Sequence, residues 1–359
     1  MMWTYLRWLG LPLALVFKGI VWVRHWLYNQ GILPTHRLPV PVISVGNIQL
    51  GGTGKTPLVL ALLEWLQQHG YVVGVLTRGY RRRKQEDVVI MANEAHQSPI
   101  AVLGDEPSLI WQALKSGAIG VGRHRARVAR QLLKRTAVDV IVLDDGLQHR
   151  ALHRDVDICL IDVSRWQYPG LLFPVSYLRD VLPVLRGVTA IVLTKWEFQE
   201  ERLAGVTATL RRYTSAPIFK GRYQATGLRH LITGQLLPLS QLQDQPVLAV
   251  SGIANPYHFE QSLTASGIKV EATRRFKDHH QYVAKDIQQV VQFAKKEGLT
   301  HIVTTEKDAV KWANMQEQME TTLNWWVLLM RLEVTPPAEW EQFWKQWCQK
   351  LCNHPGTSQ

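Results

Sequence analysis

Gly51-Gly52-Thr53-Gly54-Lys55-Thr56 is a run of small residues closed by a cation and a hydroxyl. Small residues let backbone N–H groups come close to phosphate oxygens. Lys55 would neutralise the β- and γ-phosphates of a nucleoside triphosphate, and the Thr56 hydroxyl would ligate Mg2+. The usual pattern of such a loop, GxxxxGK[ST], is matched only at its end, because its first glycine falls on Gln49. Gly51 and Gly52 supply the flexibility instead. A helix starting at Thr56 would add its N-terminal dipole. Downstream, Val140-Ile141-Val142-Leu143 is an apolar strand that ends in Asp144-Asp145. That is the form of a Walker B strand, with carboxylates at the strand end where Mg2+ needs them. The two motifs together read as a nucleotide site.

Phosphoryl transfer to an alcohol also needs a base on the acceptor side and extra positive charge. Three segments offer these groups: Gly104-Asp105-Glu106-Pro107, Asp278-His279-His280, and Arg179-Asp180 after an aromatic stretch. Each also has a plain structural reading, as a helix N-cap, a solvated loop or a surface ion pair. Spacing alone does not rank them.

The elements that position these groups alternate. Val40–Val45 reads as a strand, Thr56–Gln68 as a helix, Tyr71–Leu76 as a strand, and Ile100–Leu103 as a short strand before a helix near Ser108–Ser116. Arg123, Arg125, Arg127 and Arg130 fall on one helix, followed by strands at Val138–Leu143, Ile158–Asp162 and Ala190–Leu193. Strands alternating with helices predict an α/β fold, a P-loop NTPase-type parallel sheet with its sites at the strands' C-terminal ends. After Pro217 comes a hairpin-like stretch with Gly234 at its turn, then a second βα series from Pro246. The expected organisation is an N-terminal helix region (1–33), a P-loop domain (34–217), a β linker (218–244), a smaller α/β domain (245–333) and a C-terminal helix and tail (334–359). The aromatic stripe Trp340, Phe343, Trp344, Trp347 reads as packing.

The first acidic residue is Glu64, and Leu13–Tyr28 is nearly all apolar, with Trp22 and Trp26. Lys18 interrupts a membrane span, and no small-residue cleavage site follows. Lys18, His25 and Asn29 share a stripe, so the segment reads as an interfacial helix with an apolar face and a basic stripe. The chain carries 41 Lys and Arg against 29 Asp and Glu, a formal charge of +12, which expects an acidic partner. Its 46% hydrophobic content is enough to bury a core and argues against disorder. Cys159, Cys348 and Cys352 form no CxxC pair, which argues against a zinc ribbon or a disulfide framework.

Val45-Gly46-Asn47 before the glycine loop, Thr77-Arg78-Gly79-Tyr80, Gly-Asp-Glu-Pro, Asp144-Asp145-Gly146-Leu147-Gln148-His149, Phe276-Lys277-Asp278-His279-His280 and Thr305-Glu306-Lys307-Asp308 occur in this order. Together they resemble the tetraacyldisaccharide 4'-kinases, the lipid A kinases of Gram-negative bacteria, from the N-terminal apolar segment to about position 312. The resemblance implies transfer of the ATP γ-phosphate to the 4'-hydroxyl of an acylated disaccharide 1-phosphate. It implies an enzyme at the cytoplasmic face of the inner membrane, peripheral or monotopic. It implies Asp105 as catalytic base aided by His279, and ATP held by Gly51, Gly52, Thr53, Gly54, Lys55 and Thr56. It implies Mg2+ near Thr56, Glu106, Asp144 and Asp145, with Asn47, Arg125, Gln148 and Arg179 near the substrates. Position 180 departs from the pattern, with Asp where Glu is expected. The basic loop 81–84 has no role in this reading beyond lipid head groups. Two other readings stay open at this stage. Thr194-Lys195-Trp196-Glu197 faintly echoes the guanine-reading TKxD pattern of a GTPase or metallochaperone. The arginine runs suggest a nucleic-acid-dependent ATPase, although no binding module accompanies them.

Overall fold

The computed structural model describes residues 9–79, 86–94 and 102–352. The chain divides into two compact units. The first takes in the described parts of residues 1–97, 110–222 and 332–359, the second those of 98–109 and 223–331.

The first unit opens with helix α1 (Leu11–Asn29), then β1 (Val42–Asn47), α2 (Lys55–Gln68), β2 (Val73–Thr77) and β3 (Val88–Met91). Helix α3 (Asp105–Ala113) starts in the second unit and ends in the first. It is followed by β4 (Ala118–Val121), α4 (Arg125–Arg135), β5 (Val140–Asp144), β6 (Val156–Asp162), β7 (Ala190–Thr194) and α5 (Glu200–Arg211). The strand order is β7-β6-β1-β5-β2-β4-β3, with only β3 antiparallel. Strands β1, β2, β4, β5, β6 and β7 are buried along their whole length. Burial on both faces explains why they read as continuous apolar runs.

The chain enters the second unit within β8 (Ile218–His230) and continues through β9 (Leu236–Leu237), β10 (Pro246–Ser251), α6 (Pro256–Ala265) and β11 (Lys269–Arg275). Then follow α7 (Ala284–Lys296), β12 (His301–Thr305), α8 (Glu306–Trp312) and β13 (Asn324–Thr335), within which the chain leaves the unit. The order is β11-β10-β12-β13, all parallel. One side is packed by Trp312, fully buried and edge-on to Tyr282 and Trp325. Helix α9 (Pro337–Cys352) belongs to the first unit, where Trp340 meets Phe219 and Trp344 meets Trp65. Cys159 and Cys348 are buried thiols, and the Cys352 side chain lies outside the described residues.

Two local expectations change and one is refined. No strand forms in the described part of Ile100–Leu103: Val102 and Leu103 are helical. A short apolar run cannot be told from a buried helical turn by periodicity, and Leu103 is fully buried. The hairpin-like stretch after Pro217 is built on one 13-residue strand, β8, with the two-residue β9 returning antiparallel after a turn at Gly234 (φ +73°). The polar stripe of α1 is turned inward. Lys18 Nζ donates to Gly170 O (2.9 Å), Arg24 to Gln148 O (2.6 Å) and Arg150 to Asn29 Oδ1 (2.8 Å). Leu13, Val16, Ile20 and Trp22 are each about three-fifths exposed on the other side. Amphipathicity fixes which residues share a face; it does not say which face meets the protein. Among the described residues no helix is long and apolar enough to cross a membrane. The loop 81–84 and Tyr80 lie outside the described residues.

Candidate active site

The glycine loop hangs from β1, which lies between β5 and β6. Gly51 (φ +96°) and Gly54 (φ +97°) take left-handed conformations that other residues rarely adopt. A Cβ on Gly51 would also lie 1.7 Å from Arg165 Nη1. The loop carbonyls are held from behind. Arg165 donates to Leu50 O (3.1 Å), Lys195 to Gly52 O (2.7 Å) and Thr194 Oγ1 to Thr53 O (2.9 Å). In a trans peptide the N–H points opposite to the C=O, so the amides of Gly51, Thr53 and Gly54 face away from these tethers. The Thr53 hydroxyl accepts from Asn47 Nδ2 (2.6 Å), and both residues are fully buried. Lys195 also reaches Asp162 Oδ2 (2.6 Å), so the segment that echoed guanine recognition braces the loop.

Lys55 opens α2, and its Nζ lies 3.6 Å from Asp145 Oδ1. Asp145 sits just past β5 with φ +52°, a conformation Asp tolerates better than most residues. Arg179 grips both Asp145 oxygens and also donates to Asn47 Oδ1 and to Asn47 O (3.2 Å). Burial pushes the Asp145 carboxyl up, but Lys55 and Arg179 outweigh it and hold it well below the usual carboxylate range. Asp144 Oδ2 accepts from Thr77 Oγ1 (2.9 Å). Gln148 Nε2 donates to Asn47 O (2.9 Å) and Asp180 Oδ2 (3.0 Å). Arg125 is buried and approaches His149 Nδ1 (3.3 Å). Burial and then Arg125 press the His149 pKa down to about 3.

The first unit thus gathers the glycine loop, Asn47, Arg125, Asp144, Asp145, Gln148 and Arg179. Asp105, Glu106 and His279 belong to the second. There β10 and β12 are neighbours, with β11 and β13 on their outer sides, so the strand order reverses between them. Their C-terminal ends are the topological switch point, where open α/β sheets place their sites. Asp105 Oδ2 lies 3.6 Å from His279 Nδ1 and 3.2 Å from Lys311 Nζ. Lys307 Nζ approaches His279 Nε2 (3.4 Å), Glu106 Oε1 (3.4 Å) and Asp278 Oδ1 (3.6 Å). His279 has φ +61° and its N–H reaches Gly252 O (3.2 Å). His280 turns the other way, to Asp286 Oδ2 at 2.9 Å and a stack on Phe276. The adjacent histidines therefore divide the work, one toward Asp105 and one in the fold.

Sequence reasoning missed Lys307 and Lys311 as site groups. Their signal was available: four apart on one helix, they share a face. Glu306, beside them, is structural: burial raises its pKa, and its carboxylate accepts from Met330 N (3.2 Å).

A glycine-rich loop at a helix N-terminus, followed by a carboxylate-tipped strand and set on a parallel sheet, has the form of a P-loop phosphotransferase. The family model for "Tetraacyldisaccharide-1-P 4'-kinase" matches residues 6–349. The chain is 36% identical over 306 residues to the tetraacyldisaccharide 4'-kinase of Anaeromyxobacter dehalogenans, covering 84% of this chain and 81% of that one. It is 34% identical over 336 residues to the same enzyme of Shewanella baltica, covering 92% and 88%. A crystal structure of the Aquifex aeolicus enzyme LpxK in complex with ATP is similar at TM-score 0.77 and 29% identity, covering 95% and 99%. The chain belongs to the tetraacyldisaccharide 4'-kinase family, and its reaction is phosphorylation of a tetraacyldisaccharide 1-phosphate in lipid A biosynthesis. The GTPase alternative falls with that assignment.

Two outcomes follow from this geometry. Gly51→Ala should weaken ATP binding at least about tenfold in calorimetry, because the left-handed loop cannot form unstrained; native affinity would contradict the backbone reading. His149 should keep an uncharged ring from pH 8 to pH 5 in nitrogen NMR. Its folded pKa is depressed, so below the unfolded value near 6.5 the unfolded chain takes the proton first and stability falls with pH toward 3. A ring titrating near 6.5 would contradict this.

Proposed function

We propose that the first unit binds ATP at Gly51–Thr56 and that Asp105, on the second, is the base of the 4'-kinase reaction. The acceptor oxygen bonds to the γ-phosphorus, the β–γ bridging P–O bond breaks and ADP leaves, while Asp105 takes the hydroxyl proton. The observation that carries the assignment of the base is the Asp105–His279 pair at the switch point, 3.6 Å apart. His279 and Lys311 address the same Oδ2 atom, which fixes the carboxylate's direction.

Lys55 and Arg179 place positive charge where the γ-phosphate gathers negative charge. Asn47 is fully buried, so we assign it a strut's role, holding Thr53 and Arg179, and leave substrate contact to Arg179, Gln148 and Arg125. Thr56, Asp144 and Asp145 would hold Mg2+, which when bound neutralises phosphate oxygens. No group of three His, Cys, Asp or Glu side chains among the described residues forms a metal site by itself. That fits Mg2+, which takes one or two carboxylates and completes its shell with phosphates and water. Glu106, expected near the metal, lies beside Lys307 in the second unit. We read the two units as the P-loop and smaller α/β domains, with the stretch around β8 and β9 as the linker.

We further propose that α1 lies in the cytoplasmic face of the inner membrane. Its outward apolar face with Trp22 and Trp26 supports this, as does a lipid acceptor. The protein is then peripheral or monotopic, with the anionic surface and phosphorylated substrate answering its +12 charge.

Asp105→Asn should lower kcat by about 10^2- to 10^4-fold with the ATP affinity little changed, read by transfer of γ-labelled phosphate to the lipid. Activity near wild type would sink the base assignment. Trp22→Ser with Trp26→Ser should weaken sedimentation with anionic vesicles at least about tenfold; undiminished binding would remove the membrane from α1.

A further inference from the structure

The inward face of α1 ends at the nucleotide loop. His25 Nε2 lies 2.6 Å from Asp180 Oδ1, and Asp180 is buried with its side chain 1% exposed. Its other oxygen, Oδ2, accepts from Gln148 Nε2 (3.0 Å), and the same nitrogen reaches Asn47 O (2.9 Å). Asn47 in turn ties the Thr53 hydroxyl (2.6 Å) and shares Arg179 with Asp145. A second thread runs beside the first: Arg24 Nη2 donates to Gln148 O (2.6 Å). Both threads end on Asn47, at the last position of β1, or on the loop that follows Asp145.

The ring of His25 has one orientation available. Arg150 Nη1 approaches both its Nδ1 (3.2 Å) and its main-chain oxygen (3.2 Å). With Nδ1 accepting from Arg150, the proton on Nε2 goes to Asp180. Val181 N donates to the same carboxylate oxygen (2.8 Å), so Asp180 is held from three sides. The aspartate at this position is one methylene shorter than glutamate, and His25 supplies the group that meets it.

We propose that His25 is a positioning residue for phosphoryl transfer: acting through Asp180 and Gln148, it sets the place of Asn47 and hence of Thr53 and Arg179 around the phosphates. A helix that presents its apolar side outward thereby carries, on its inner side, part of the scaffold of the nucleotide site. A buried donor–acceptor chain of this kind transmits position because losing one of its bonds strands a desolvated polar group. The inference rests on the reading of Gly51–Thr56 as the ATP loop.

The test compares kcat at saturating ATP and lipid, in detergent micelles, for His25→Ala, His25→Gln, Asp180→Asn and the His25→Ala/Asp180→Asn double variant. The alanine variant should lose about tenfold in kcat, with KM for ATP within about twofold, because loop placement and not ground-state binding is disturbed. The glutamine variant should recover most of the loss, since its amide nitrogen reaches about as far as Nε2 and can donate to Asp180. The double variant should be no worse than the poorer single one, as expected when one residue acts through the other. Unchanged kcat in His25→Ala, no recovery with glutamine, or losses that multiply would each overturn the proposal. If His25→Ala does not fold, the glutamine and Asp180→Asn variants carry the comparison, and a glutamine variant as poor as Asp180→Asn overturns it. Calorimetry of ATP on the wild-type protein reports on the loop separately; no binding there overturns the reading of the loop, and the inference with it.

Discussion

A loop that binds phosphate with its backbone must turn its carbonyl groups away, because a carbonyl and a phosphate oxygen repel. In the loop proposed here to bind ATP the constraint is met residue by residue. Leu50, Gly52 and Thr53 each give their carbonyl to a side chain from β7, its following residue, or the turn after β6. Those side chains are themselves fixed: Asp162 closes on Lys195, and the Gln49 amide pairs with the Asp162 main chain in both directions (2.7 and 3.0 Å). Gln49 occupies the place of the first glycine of the usual motif, and it anchors the loop to β6. The departure from the pattern is thus a different way of meeting the same demand. The neighbouring strands matter because all of them are parallel and end on the same side, so their last residues converge on one loop.

The second unit follows the same rule with different groups. Adjacent parallel strands β10 and β12 lead outward to opposite neighbours, and the gap between their ends receives Gly252, His279 and the start of α8. Gly252 N donates to Asp308 Oδ2 (2.8 Å), and a Cβ at Gly252 would lie 2.7 Å from the Tyr282 hydroxyl. Asp308 is fully buried and lies 3.8 Å from Lys311, which is itself buried. A buried lysine between two carboxylates holds both in place, since neither charge can leave without stranding the other.

How far this was legible from sequence depends on the range of the interaction. The glycine loop, the carboxylate-tipped strand and the alternation of strands and helices are local patterns, and each appears where its pattern lies. The Asp105–His279 approach joins residues 174 positions apart, and no periodicity encodes that; the resemblance to a known family supplied it. Lys311 shares a helix face with Lys307, a local signal, but its partner Asp105 meets it only in the folded unit. Thr53 shows the limit from the other side. Its type suits a phosphate-facing hydroxyl, yet that oxygen accepts from the Asn47 amide in a fully buried position, a contact no local pattern announces. Short elements were the least legible: β3 and β4 have four residues each, and Val102–Leu103 is apolar in a way that suits either a strand or a helix.

Helix α1 shows how a correct pattern leaves its consequence open. A polar stripe on a surface helix ordinarily faces water. Here it faces the protein because Asp180 is buried and needs a donor, which His25 provides. Burial alone would raise the Asp180 pKa, but the bonds from His25, Gln148 and Val181 outweigh burial and lower it. A depressed carboxylate contributes its stability above the unfolded pKa and loses it only as pH falls through the folded one. The latch therefore keeps its strength across the neutral range and weakens only in acid. With Lys18, Arg24 and His25 engaged inward, attraction to an anionic surface has to come from cations outside this stripe. What the helix offers outward is apolar area, so the hold on a bilayer proposed for it would rest on burial more than on charge.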